Sequence, residues 1–152
     1  MSSLQVHALR LGPGAELLSS LRDFVDQRRL RAPFVLTCVG SVTMATLRLA
    51  NATADNVNEV LELSGRFEIV SLVGTLNPEP HLHVSLSDSR GRTVGGHVLG
   101  NLRVFTTAEV VIGEARSCCS PETWTRRPGS KSWWCRRGAR RRKPTETPEN
   151  HE

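Results

Sequence analysis

His81 to Asp88 alternates without a break. His81, His83, Ser85 and Ser87 fall on one side, and Leu82, Val84 and Leu86 on the other. A period of two marks a β-strand with one face in a core. Ser89-Arg90-Gly91 follows and reads as a three-residue hairpin loop with Gly91 in the left-handed conformation. That turn sets the pairing of everything after it. Asp88 faces Arg92, and His83 faces His97 on the same side of the sheet. A one-residue slip would turn His97 to the opposite face. His81, His83 and His97 then converge, and three imidazoles on one point are the geometry of a metal site with an open position. Their ligand type favours zinc among the divalent metals. Gly95 and Gly96 weaken the second strand, but they permit a bulge or a close backbone approach beside the site.

The residues before this hairpin read as a strand, a helix and more strands. Leu4 to Leu11 is a first strand, stopped by Gly12-Pro13-Gly14. Leu17, Leu18, Leu21, Phe24 and Val25 recur at helical spacing, and Pro33 predicts a helix end near Arg31. Phe34–Val39 is a strand, Gly40-Ser41 a break, and Met44–Leu49 another strand. Asn51–Asn58 is a polar loop, and Ser64-Gly65 reads as a turn before a long strand, Arg66–Leu76. Asn77-Pro78-Glu79-Pro80 ends that strand, because proline cannot donate to a ladder. After the hairpin, Val98–Val104 and Thr106–Ile112 read as two further strands. The predicted class is α+β, a mainly antiparallel sheet with one principal helix after the first strand. His7, alone in its strand, reads as a hydrogen-bonded or exposed histidine. Cys38, in an apolar run, reads as a buried thiol.

Charge divides the 152 residues at about position 116. Residues 1–115 carry ten Arg and eleven acidic residues, a net of −1, whereas residues 116–152 carry ten basic and four acidic residues, a net of +6. All four Phe lie in the first part and all three Trp in the second. Residues 1–115 therefore read as one domain, and 116–152 as a basic tail without packed structure. The tail's Arg136, Arg137, Arg140, Arg141, Arg142 and Lys143 are candidates for nuclear import or non-specific nucleic-acid contact. Trp133-Trp134 could stack on bases. Cys118, Cys119 and Cys135 with His151 match no zinc spacing. Without a signal peptide or a disulfide framework, the expected compartment is a reducing intracellular one, nucleus or cytoplasm. No apolar run approaches the roughly 20 residues of a membrane helix, so no membrane partner is expected.

Several motifs together carry a family likeness. Gly12-Pro13-Gly14-Ala15-Glu16-Leu17, Gly40-Ser41, the run Ser64-Gly65-Arg66-Phe67-Glu68-Ile69 to Leu76, His81 to Asp88, Gly91 to His97, and Thr107 to Ile112 closely resemble the PPC domain. That domain occurs in plant AT-hook nuclear-localised proteins and in stand-alone bacterial and archaeal relatives. The resemblance covers roughly residues 4–114. It implies an α+β fold assembling as a homotrimer, with His81, His83 and His97 as the family's divalent-metal site. It marks Gly65, Arg66, Phe67, Glu68, Gly95, Gly96 and Glu109 as structural or interface positions. Plant members largely lack the histidines and use the domain for nuclear localisation and protein interaction, so this chain looks like the stand-alone branch. It has no Arg-Gly-Arg-Pro AT-hook core: Arg90-Gly91-Arg92-Thr93 lacks the proline and sits in a hairpin. From Arg116 onward the chain resembles nothing in the family and reads as an alternative C-terminus.

The expected function is a non-enzymatic trimeric module holding zinc or another divalent metal, with interaction or regulatory roles near DNA or chromatin. The alternatives are a metal-dependent enzyme acting on a small molecule at a subunit interface, and a nucleic-acid binder acting through the tail. Catalysis would need a carboxylate beside the metal. Glu68 and Glu109 are the available ones, and each reads as structural, paired with an arginine.

Overall fold

The computed structural model describes residues 3–51, 55, 59–116, 124–126 and 133–135. The elements are β1 (Leu4–Leu11), α1 (Leu17–Arg28), β2 (Pro33–Arg48), β3 (Val60–Thr75), β4 (His81–Ser87), β5 (Thr93–Ala115), β6 (Trp124–Arg126) and β7 (Trp133–Cys135). The first five strands form one sheet in the order β1-β5-β2-β3-β4, and β4 also pairs with β5, so strands β2 to β5 close on themselves. Every ladder is antiparallel. This is the α+β class expected from the sequence pattern. β6 and β7 pair with each other in a separate two-stranded sheet, within the segment read as lacking packed structure. A ribbon of that size has little stability by itself. Arg136 to Lys143 and most of the Asn51–Asn58 loop lie outside the described residues.

Helix α1 buries Leu17, Leu18, Leu21 and Val25 on the sheet. They share one buried cluster with Leu47, Leu72, Leu86, Leu102 and Ile112, all at most 1% exposed. Full burial of each such side chain contributes about 1.5–3 kcal/mol. Glu16 starts the helix. Its carboxylate accepts the amides of Leu18 and Ser19, and also that of Leu102 in β5, at 3.1 Å. One side chain thus caps the helix and ties it to the sheet. The helix ends at Arg28, three residues before the predicted Arg31. Arg29 turns left-handed at φ 53°, its amide bonds to Asp26 O, and the Leu30 amide bonds to Val25 O at 3.0 Å. These bonds satisfy the last carbonyls, whereas Pro33 sets only an outer bound.

Three predicted breaks are not breaks. β2 runs through Gly40-Ser41, β3 through Ser64-Gly65, and the two strands predicted within 98–112 are one 23-residue strand, β5. At Gly40 the reason is close approach, since a Cβ there would lie 2.2 Å from Thr107 O in β5. Ser41 continues the strand, with its hydroxyl 2.9 Å from that of Thr106. Register shifts, including one between Val42 and Met44, absorb the bending that the glycines signal. Cys38 is buried as expected, and burial pushes its thiol up to about 11, so it stays protonated and unreactive. His7 is half-buried and stands apart from the other histidines: it packs edge-on to Phe24 at 5.9 Å, and its buried Nε2 has no hydrogen-bond partner.

Gly74 sits where β3 passes β4 beside His81. It has φ +136°, and a Cβ would lie 1.9 Å from His81 O. Gly74→Ala combines backbone strain with overpacking, so it should destabilise the chain by about 2–4 kcal/mol. Gly12→Ala, with nothing within 4 Å of its Cβ, should leave the urea unfolding midpoint nearly unchanged. Equal midpoints for the two variants would refute the close-approach account.

Candidate metal centre

The hairpin between β4 and β5 is fixed by Asp88. Its backbone amide donates to Arg92 O, and its carbonyl accepts the Gly91 amide, each at 2.9 Å. Its carboxylate accepts the amides of Arg90 (2.8 Å) and Arg92 (3.0 Å) and pairs with the Arg92 guanidinium at 2.7 Å. The Arg92 side chain accordingly holds the Asp88 carboxyl below the usual carboxylate range. Gly91 has φ +76°, the left-handed residue the loop requires. The ladder then runs Ser87↔Thr93, Leu86↔Val94, Ser85↔Gly95, Val84↔Gly96 and His83↔His97. This is the register read from the turn alone.

The imidazoles converge. Ring centroids lie 5.3 Å apart for His81–His83, 5.0 Å for His81–His97 and 5.4 Å for His83–His97. One nitrogen from each lies within 4.8 Å of the others. The Nε2 atoms of His81 and His83 are 3.3 Å apart. Two imidazoles at that separation share either a proton or a cation. Two nitrogens bound at 2.0–2.1 Å with a tetrahedral angle stand roughly 3.3–3.4 Å apart, so the observed pair already has the spacing of a zinc edge. His97 Nδ1 is buried and has no hydrogen-bond partner. His83 is exposed overall, but partial desolvation of its ring lowers its pKa, and the charges of His81 and Arg48 lower it further. A neutral imidazole is the form that binds metal.

The glycines beside the trio allow close packing. A Cβ on Gly95 would lie 2.5 Å from Val84 O, and one on Gly96 would lie 2.7 Å from Arg48 O. No register shift interrupts this ladder, so of the two predicted roles, close approach is the one realised. The other predicted positions do not join the histidines. Gly65 lies within β3 at φ +139°, Arg66 stacks over Phe105 at 4.6 Å, and Phe67 packs against the core. Glu68 pairs with Ser87, four residues along β4 from His83, a distance of roughly 13 Å. Glu109 pairs with Arg10 at 3.6 Å on the β1 side, an exposed ion pair. Neither carboxylate is placed as a general base for the trio. Sequence reasoning missed Arg48, which pairs with His97 from β2. Only the long-range β2–β5 register brings it there, and no local signal carries that register.

Residues 1–116 match the profile of the Plants and Prokaryotes Conserved (PCC) domain, and the chain belongs to that family. A bifunctional GlmU protein of Synechococcus sp. is 46% identical over 114 residues, covering 74% of this chain but only 18% of that protein. An AT-hook motif nuclear-localized protein (number 24) of Arabidopsis thaliana is 36% identical, over 66% of this chain and 32% of its own. A solved hypothetical protein from Salmonella enterica superposes with a TM-score of 0.70 at 40% identity, covering 80% of this chain and 90% of that one. The match thus covers under a third of these two curated relatives but nearly all of the Salmonella chain.

The lowered pKa of His83 fixes the sign of a pH effect. Below the ordinary histidine value of 6.5, the unfolded chain takes up a proton at this position more readily than the folded chain does. Metal-free protein therefore loses stability as pH falls from 6.5 toward the lower folded value, with no such loss above 6.5. His83→Gln should lose less of its urea midpoint than the parent between about pH 7.5 and 5.5. Parallel losses in both would remove His83 as a cause.

Proposed function

We propose that this chain is a non-enzymatic, homotrimeric binding module that holds a divalent metal, zinc by preference, on His81, His83 and His97. The observation that carries the reading is the convergence of three imidazoles, two of them 3.3 Å apart at Nε2. Neutral histidine nitrogens with an open fourth position suit zinc. Two facts favour binding over catalysis: Glu68 is remote along β4, and Glu109 is engaged by Arg10. Exposed apolar residues support assembly. Val39 is 56% exposed, Val70 60% and Val73 49%, apolar surface that a subunit contact would cover.

Elemental analysis of purified protein should give one metal per chain, in particles of three times 16.8 kDa. His83→Ala should lose the metal on dialysis while keeping its sheet. A metal-free parent, loaded with zinc and dialysed, that retains none would sink the metal reading. A monomeric mass would sink the trimer.

A second reading rests on the segregated charge. Ten basic residues against four acidic ones in 116–152 suit nucleic-acid phosphate contact, in a family whose Arabidopsis members are named as AT-hook nuclear-localized proteins. On this reading the chain works in the nucleus as well as the cytoplasm. DNA affinity should then fall steeply with salt and vanish when residues 116–152 are removed. Equal binding by the shortened chain would refute it. Among the described residues no helix is long and apolar enough to cross a membrane.

A further inference from the structure

His97 has a strand on each side. On one side it faces His83, and on the other it faces Arg48. Directly paired residues project from the same face of an antiparallel sheet. Arg48, His97 and His83 therefore form a row across three strands, with His81 two residues along β4 from His83. Burial agrees: Arg48, His81 and His83 are exposed and His97 is half-buried, while Leu47, Leu82 and Val98 turn into the core. Adjacent strands are about 4.8 Å apart, so a cation held between His97 and His83 lies about 7 Å laterally from the Arg48 backbone. A guanidinium on its three-carbon stem spans that distance. Among the described residues no acidic side chain forms an ion pair with Arg48.

This placement is unfavourable for a bare metal, because a fixed positive charge repels a divalent cation. It becomes favourable once an anion sits between them. We infer that Arg48 is the second half of the ligand site: an oxyanion, carboxylate or phosphate, fills the open position on the metal through one oxygen and accepts the Arg48 guanidinium through another. The inference rests on the three-histidine metal reading above. The chemistry is general. A guanidinium presents a planar fork matched to two oxygens, and charge-assisted bonds of this type are among the strongest available to a protein. The bound ligand is then an acid or a phosphorylated small molecule rather than a neutral one, and metal and anion enhance each other's binding.

The test uses the full-length chain loaded with cobalt(II), whose visible absorption reports a change of ligand. Acetate and inorganic phosphate are titrated separately, which separates a carboxylate source from a phosphate source. In the parent, at least one of them should shift the spectrum saturably. Arg48→Met should bind cobalt at least as tightly as the parent in anion-free buffer, yet bind the anion roughly tenfold to a hundredfold more weakly. Arg48→Lys, which keeps the charge but loses the fork, should fall between. Equal anion affinity in parent and Arg48→Met, with cobalt bound in both, overturns the role of Arg48 and leaves the metal reading standing. Loss of cobalt from both arginine variants overturns that role too, because it makes the residue structural. A parent that takes up no cobalt overturns both.

Discussion

Strand β5 is the constraint on which the rest of this structure depends. Its 23 residues serve three partners: β4 through residues 93–97, β2 through 97–114 and β1 through 108–115. Each stretch of backbone must find donors and acceptors along its length, so β5 cannot shift against one partner without breaking its ladders with the others. Where it passes from β4 to β2 it is paired on both sides at a single residue, and that residue is His97. The helix is bound to the same strand, through the Glu16 carboxylate on the Leu102 amide. Helix docking, sheet closure and placement of the third histidine are thus one arrangement.

The hairpin at Gly91 was legible in the sequence because its information is local. A left-handed glycine, an aspartate that accepts two amides within four residues, and clean alternation on β4 leave one parity available. Helix α1 was legible for a similar reason, through its spacing. The long strands were not. Gly40 and Gly65 look like punctuation, yet each sits inside a strand, with φ of 147° and 139°. Glycine marks both a chain reversal and a tight approach of two backbones, and only the partner strand distinguishes them. At Gly40 that partner is Thr107, 67 positions away. Arg48 was invisible for the same physical reason: the β2–β5 ladder that seats it passes through several register shifts, and no local rule sums them.

The electrostatics of the site follow from what surrounds it. Glu68 and Glu109, the two carboxylates that sequence reasoning offered, lie elsewhere on the sheet, one beside Ser87 and one beside Arg10. Partial desolvation, a second imidazole and Arg48 all disfavour a proton on His83. On the proposed metal reading, a site that disfavours a proton on His83 while presenting imidazole nitrogens would favour a species that brings ligand bonds as well as charge. The same arginine that disfavours protonation would also disfavour a naked metal, which is why the proposed site pairs the metal with an anion.

Matching stretches occur within proteins as differently named as a bifunctional GlmU protein and an AT-hook motif nuclear-localized protein, of which they cover 18% and 32%. A fold shared that widely does not determine chemistry; side chains at particular register positions do. Here those positions form one row. Val73 faces His83 across β3 and β4, and His83 faces His97, which faces Arg48. The row runs from a half-exposed apolar residue, through two imidazoles, to a charged one. Covering the apolar end with another surface would reduce the water around His83 and strengthen every charge interaction along the row. A contact at Val73 and a metal on the histidines, as proposed, would therefore share one electrostatic environment, and a change at either end would be felt by the imidazole between them.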